Sequence, residues 1–183
     1  LGVYIWQGNW AKNLPWMLGI VASQVCGALA GMFLGYIVLR SNVNGEWTVV
    51  KDNVPLLLPF GGQDGPDTGE GGFHYNITTF YSQVVCTFIF VLFILNVKGR
   101  KTAPTEFGVY GALGVILVLW GLCQVDHFTG ASFNPALAVG LTAFQAWWYP
   151  ENPNGMLTHY LPYYAVGALM GGFLAGLFYL AHA

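Results

Sequence analysis

Charge is the scarcest thing in this 183-residue sequence. It holds six Lys and Arg and eight Asp and Glu, together 8% of the chain, where a soluble domain carries about 25%. So few charges cannot cover the surface of a soluble fold of this size. No basic stripe is present and the net charge is −2, which excludes a nucleic-acid binder. Cysteine is also sparse. Cys26, Cys86 and Cys123 lie in apolar stretches with no CxxC pattern, so the expectation is three small buried hydrophobes rather than a disulfide framework or a metal site. No Ser/His/Asp or paired-carboxylate arrangement is evident, so neither an enzyme nor a cofactor is expected. The start lacks an initiator Met, a basic n-region and a cleavage site, which is not how a secretory signal begins. The expectation is a chain that begins inside a longer polypeptide.

What the sequence has instead is apolar length. Hydrophobic residues make up 55% and glycine is frequent, with 25 residues. A bilayer core takes about 20 apolar residues in helical form, and four stretches come close: Pro15 to Leu39, Thr79 to Val97, Phe107 to Val125 and Tyr160 to Ala181. None has Asp, Glu, Lys or Arg in its middle, so none advertises an ion-coupled site. Lys98, Arg100 and Lys101 are half of all the basic residues, and their short connection is read as cytoplasmic. The segment 41–78 is then an extracytoplasmic loop, with five acidic residues (Glu46, Asp52, Asp64, Asp67, Glu70) and turn residues such as Gly61-Gly62. Within it, 54–60 is apolar enough to dock on a partner or to fold over a pore mouth. Asn76-Ile77-Thr78 is a glycosylation pattern on the matching side. Trp6, Trp10, Trp16 and Trp147-Trp148-Tyr149 are read as interfacial anchors.

One region, Thr129-Gly130-Ala131-Ser132-Phe133-Asn134-Pro135-Ala136-Leu137-Ala138 and on to 144, is apolar enough to enter a membrane and too short to cross it. Asn134 suits an N-cap and Pro135 the first helical position. A half-helix beginning at Asn134 after extended backbone is expected, and irregular backbone at membrane depth is tolerated only inside protein or beside a watery cavity. This re-entrant segment, 129–144, is the candidate site. Asp126-His127, just before it, is read as a solvated loop pair, with a pH-sensing mouth residue as the alternative.

The chain also repeats itself. Gly27-Ala28-Leu29-Ala30-Gly31-Met32-Phe33-Leu34 and Gly167-Ala168-Leu169-Met170-Gly171-Gly172-Phe173-Leu174 agree at six of eight positions, at an offset of 140. Repeats of this kind, often inverted, place a site at the midplane in many transporters. Ser23, Gly27, Gly31 and Gly35 line one face of the first span, and Gly167, Gly171 and Ala175 line one face of the last, with Gly172 and Gly176 beside them. Small residues four apart let backbones approach closely. Subtracting the offset from Asn134 lands about six positions before Leu1, so a matching half-helix is expected upstream, with 1–6 as its tail.

These residues resemble the aquaporin (major intrinsic protein) family. Its second-repeat signature is a Thr-Gly pair, three variable residues and Asn-Pro-Ala, as at 129–136. Gln24-Val25-Cys26-Gly27-Ala28 resembles the start of the family's third span, and Gln83 through Thr87-Phe88 its fourth, where Glu is commoner than Gln83. The resemblance implies an all-α membrane fold that is aquaporin-like and incomplete. It has about four transmembrane helices plus a re-entrant half-helix, within an inverted repeat of three-span units. Residues 1–40 are then the tail of the first half-helix and the third family span, 41–78 the long loop and 79–183 the second repeat.

The resemblance further implies a pore at Asn134, Pro135 and Ala136, lined by the backbone of Gly130, Ser132 and Phe133. It implies a selectivity filter at Leu122, Ala131 and Leu137. The family usually places Arg where Leu137 stands. Asn-Pro-Ala-Leu-Ala is closer to the unorthodox, or super-, aquaporins of intracellular membranes, although Gln145 occupies a position where that subgroup often has Cys. The expected function is a passive channel for water or small neutral solutes such as glycerol or hydrogen peroxide, in a multi-pass endomembrane protein assembled as a homo-tetramer or within a larger membrane assembly. The alternatives are a structural membrane subunit with an unused pore and, more remotely, a coupled transporter.

Overall fold

The computed structural model describes residues 9–38, 40–43, 46–49, 72–99, 102–103, 108–148 and 159–182. Five helices carry it. They are α1 (Trp10–Val38), α2 (Gly72–Lys98), α3 (Gly108–Val125), α4 (Pro135–Trp148) and α5 (Leu161–His182). α1, α2, α3 and α5 are long and apolar enough to cross a membrane. α4 has 14 residues, about 21 Å at 1.5 Å per residue, against a hydrocarbon core of about 30 Å. The helical membrane architecture expected from the sequence is therefore present among the described residues: four helices long enough to span and one that is not. The spans start and stop within a few residues of the apolar runs, except that α2 begins at Gly72, about two turns before Thr79.

Two short strands, β1 (Arg40–Val43) and β2 (Glu46–Val49), form an antiparallel ribbon with Ser41 opposite Thr48 and Asn42 opposite Trp47. The intervening residues in the sequence are Asn44-Gly45, a pair that favours two-residue hairpins. The ribbon falls largely within 41–78, the segment expected to be a long loop. The expectations for residues 1–6, Gly61-Gly62, 54–60, Arg100, Lys101 and Tyr149 lie outside the described residues.

Helix α5 packs along α2, α1 and α5 both pack on α4, and α3 packs on α2. Small residues decide how closely. A methyl group on Gly167 would stand 2.8 Å from Gln83 Cβ and 3.0 Å from the Phe80 carbonyl oxygen. One on Gly171 would meet the Val84 carbonyl oxygen, Thr87 Cβ at 2.9 Å and Phe88 N at 3.0 Å. The α5 glycines thus let two backbones touch, as their spacing predicts. The matching face of α1 differs, because Gly27, Gly31 and Gly35 meet nothing within 4 Å among the described residues. α1 instead touches α4 beside Ala28, whose Cβ is 2.5 Å from where a Gly140 methyl would be. Tyr36, Phe144 and Trp147 close the far end of this contact, with ring centroids 5.9–6.4 Å apart.

Outward faces are apolar: Ile116, Leu117 and Trp120 on α3 and Leu18 and Ile20 on α1 are more than half exposed. Such surface suits lipid, and the protein is an integral membrane protein.

Candidate functional site

The site is built where α3 ends and the chain turns back toward α4. Residues 126–130 form the turn and 131–134 have no regular structure. Left-handed backbone recurs along this stretch: Gly130 at φ 91°, Ala131 at 54° and, after Ser132, Phe133 at 47°. Glycine takes this conformation freely, whereas Ala131 and Phe133 each give up about 1–3 kcal/mol. Something must hold them there.

At the α4 end the holding is local. Asn134 Oδ1 accepts from the Ala136 amide at 2.9 Å, and the Asn134 carbonyl accepts from Ala138 N at 2.9 Å and from Ser132 Oγ at 3.1 Å. This is the N-cap that Asn-Pro predicts, with Pro135 as the first helical residue. With its oxygen engaged, the Asn134 side chain has its NH₂ left to offer outward.

At the other end the holding is long-range. Phe133 N donates to Gln83 Oε1 at 3.0 Å across 50 residues of sequence. Gln83 Nε2 donates to Asp126 Oδ2 at 2.6 Å and to Thr129 Oγ1 at 3.0 Å. Thr129 Oγ1 donates to Asp126 Oδ1 at 2.6 Å, and Ser82 Oγ also donates to Oδ1. Tyr164 OH of α5 donates to the Thr129 carbonyl. Gln83, Asp126 and Thr129 are almost wholly buried, as is Tyr164. The reading of Asp126-His127 as a solvated loop pair is therefore corrected. His127 is exposed, but Asp126 turns inward, where three side-chain donors replace water. Burial pushes the Asp126 carboxyl above the usual carboxylate range, and the hydrogen bonds from Ser82, Thr129 and Gln83 offset part of that shift.

Among the other predicted positions, Leu122 is buried against Cys86 and Phe133, with Ala131 packed beside them. Leu137 packs instead on the cluster of Ala138, Leu141, Tyr160 and Tyr164. The structure brings Leu122 and Ala131 together and puts Leu137 in a different cluster. Pro135 is half-buried and Ala136 buried; Gly130 is exposed, while the Ser132 and Phe133 side chains turn into the protein. Cys86 is buried, Cys123 half-buried and Cys26 exposed, each as a free thiol, so for Cys26 the expectation of burial fails. Trp16 and Trp147 are exposed. Asn76 lies inside α2 with its amide oxygen 3.1 Å from His159 Nε2, not in the surface loop where a glycan acceptor sits. The residues that sequence reasoning missed are Asp126, Ser82 and Tyr164. Their types are ordinary for turns and span ends, and no local pattern marks them.

Three curated proteins match the chain in sequence. Aquaporin Z of Photorhabdus laumondii subsp. laumondii is 25% identical over 175 residues, 96% of this chain and 67% of its own length. Aquaporin Z of Bradyrhizobium diazoefficiens is 31% identical over 163 residues, 89% of this chain and 59% of its own. The glycerol uptake facilitator protein-like 6 of Lactiplantibacillus plantarum is 26% identical over 159 residues, 85% of this chain and 65% of its own. The chain thus spans about three fifths to two thirds of the length of the curated relatives it matches. No family model matches it, and no solved structure does. Along most of its length the chain resembles the aquaporin, or major intrinsic protein, family. The names of these relatives give no support to a purely structural subunit.

Proposed function

We propose that this aquaporin-like chain forms part of a passive pore for water and small neutral solutes, with Asn134 at its centre. The single observation that carries the reading is the start of α4. A helix too short to span begins at a capped asparagine, after backbone held in left-handed conformation, in a protein of long apolar spans. The N-terminus of such a helix carries about half a positive charge. Its asparagine NH₂ and that dipole together turn a passing water oxygen toward the protein, which interrupts proton relay and repels cations. The side chains of Ser132 and Phe133 point into the protein, which supports a path that meets their backbone, and that of Gly130, rather than their side chains. No covalent step is involved.

Leu122, Ala131 and Leu137 are the proposed filter. Leucine at 137 supplies neither charge nor donors, in contrast to an arginine with its five N–H groups, so the constriction admits glycerol or hydrogen peroxide as well as water. A homo-tetramer and an endomembrane location, in the manner of the unorthodox aquaporins, belong to the same proposal. So does the layout of 79–183 as a second three-span unit and 1–40 as the end of the first.

The test is Asn134→Asp in the full-length polypeptide, reconstituted in liposomes and read by stopped-flow swelling. A carboxylate replaces the NH₂ donor while still capping the helix, so the fold is kept. Osmotic permeability is expected to fall at least about tenfold, the worth of one strong directed interaction. Unchanged permeability would remove Asn134 from the path.

A further inference from the structure

The Gln83 amide has two ends with opposite hydrogen-bonding character, and the pore backbone depends on which end faces it. Phe133 N–H can only donate, so the end of Gln83 beside it must be Oε1, at 3.0 Å. An ionised carboxylate can only accept, so the end beside Asp126 must be Nε2, at 2.6 Å. Both demands select the same orientation. Asp126 is itself fixed by Ser82 Oγ and Thr129 Oγ1 on its other oxygen, and Thr129 is anchored to α5 through Tyr164.

We infer that Asp126 is a positioning residue for the pore: its carboxylate sets the orientation of the Gln83 amide, and through it the Phe133 backbone at the mouth of α4. The inference rests on the channel reading for its functional consequence, although the coupling itself stands on this geometry alone. Phe133 is held at φ 47°, and Gln83 Oε1 is the acceptor that its amide finds. The titratable neighbours around the carboxylate are Cys86 from α2, Cys123 from α3 and Tyr164 from α5, with Tyr160 behind it; His127 follows Asp126 in the chain.

The arrangement makes a charge-exchange prediction. Asp126→Asn either sets an NH₂ against the Gln83 NH₂, so that Gln83 turns and the Phe133 N–H loses its acceptor, or turns its own amide and sets that NH₂ against the Ser82 and Thr129 hydroxyls, which must then accept instead of donating. Gln83→Glu keeps an oxygen toward Phe133 but sets a second carboxylate 2.6 Å from the first. Such a pair shares one proton and separates when both ionise. In the double variant Gln83→Glu with Asp126→Asn, the new amide at position 126 donates to the new carboxylate at position 83. That carboxylate still accepts from the Phe133 N–H, so the contacts of position 83 with Phe133 and with position 126 are restored with the charge moved to the other side, and only the donation to Thr129 Oγ1 is lost.

The experiment places the four forms of the full-length polypeptide in proteoliposomes and follows water permeability, together with thermal unfolding in detergent, at about pH 5 and about pH 8, either side of where a close carboxylate pair gives up its shared proton. Asp126→Asn is expected to lose about tenfold in permeability at both values, as for one broken buried hydrogen bond. Gln83→Glu loses the same at the higher pH and recovers at the lower. The double variant returns to within about twofold of the original at both, the sign of direct coupling between neighbours. A double variant no better than the worse single variant, in permeability and in unfolding, overturns the inference. If the original protein does not conduct water at all, the channel reading falls and the unfolding cycle alone decides whether Asp126 positions Gln83.

Discussion

A carboxylate buried at the entry of a re-entrant turn has to be held by donors, and Asp126 has three: Ser82, Gln83 and Thr129. They do not fully replace water, so the carboxyl titrates above its ordinary range. The sign of the consequence follows from linkage. Between about pH 4, where an unfolded Asp titrates, and its raised folded value, the folded protein holds a proton that the unfolded chain has released. Stability from this group is therefore present at the acid side and lost as the pH rises through the folded value. Relative to Asp126→Asn, whose side chain does not titrate, the original protein is expected to gain thermal midpoint as the pH falls into the acid range where this carboxyl takes up its proton. A difference that stays constant with pH would show the carboxyl to be unshifted. Asn134 needs no such long-range support, since its cap is made with Ala136, two residues away. That contrast explains why Asn134 could be chosen from Asn-Pro alone while Asp126 looked like a solvent-facing turn residue.

Among the elements, the pair α2 and α5 bears the site, because Gln83 and Ser82 come from one and Tyr164 from the other. Their approach depends on α5 presenting glycine to the α2 backbone at Gly167 and Gly171. Gly171→Leu has nowhere to put its side chain, with the Val84 carbonyl and the Phe88 amide both in the way. Overpacking of this kind costs about 1–3 kcal/mol, read as a lower unfolding midpoint in detergent, and permeability should fall with it as Gln83 moves from Phe133. A Gly171→Leu protein with the original midpoint would mean that the two helices are not in backbone contact. The stripe was visible as spacing, since residues four apart share a helix face. Which helix it meets was not, because any apolar helix accepts such a face.

Across the whole molecule, the two ends of the offset of 140 residues are in different situations. The α5 stripe is filled by α2, while Gly27, Gly31 and Gly35 of α1 meet nothing among the described residues. If the repeat is an architectural one, the α1 stripe takes a helix that plays for the first unit the part α2 plays for the second. Gly31→Leu in the full-length polypeptide is then expected to lower the unfolding midpoint about as much as Gly171→Leu, by about 1–3 kcal/mol. A midpoint unchanged by Gly31→Leu would leave that face to lipid and remove the support for a two-fold arrangement.

By itself the sequence determined the medium, the four spans and the short helix α4, because hydropathy over about 20 residues and an Asn-Pro cap are local properties. It also carried the likeness to the aquaporins, through Thr129-Gly130 and Asn134-Pro135-Ala136. Only the tertiary structure decided that Asp126 is buried, that Gln83 joins it to Phe133, and that Leu122 and Ala131 pack apart from Leu137. The first two of these depend on side chains 43 to 50 residues apart meeting in a space that excludes water. No periodicity along the chain encodes such a meeting, and only the close contact of α5 with α2 brings it about.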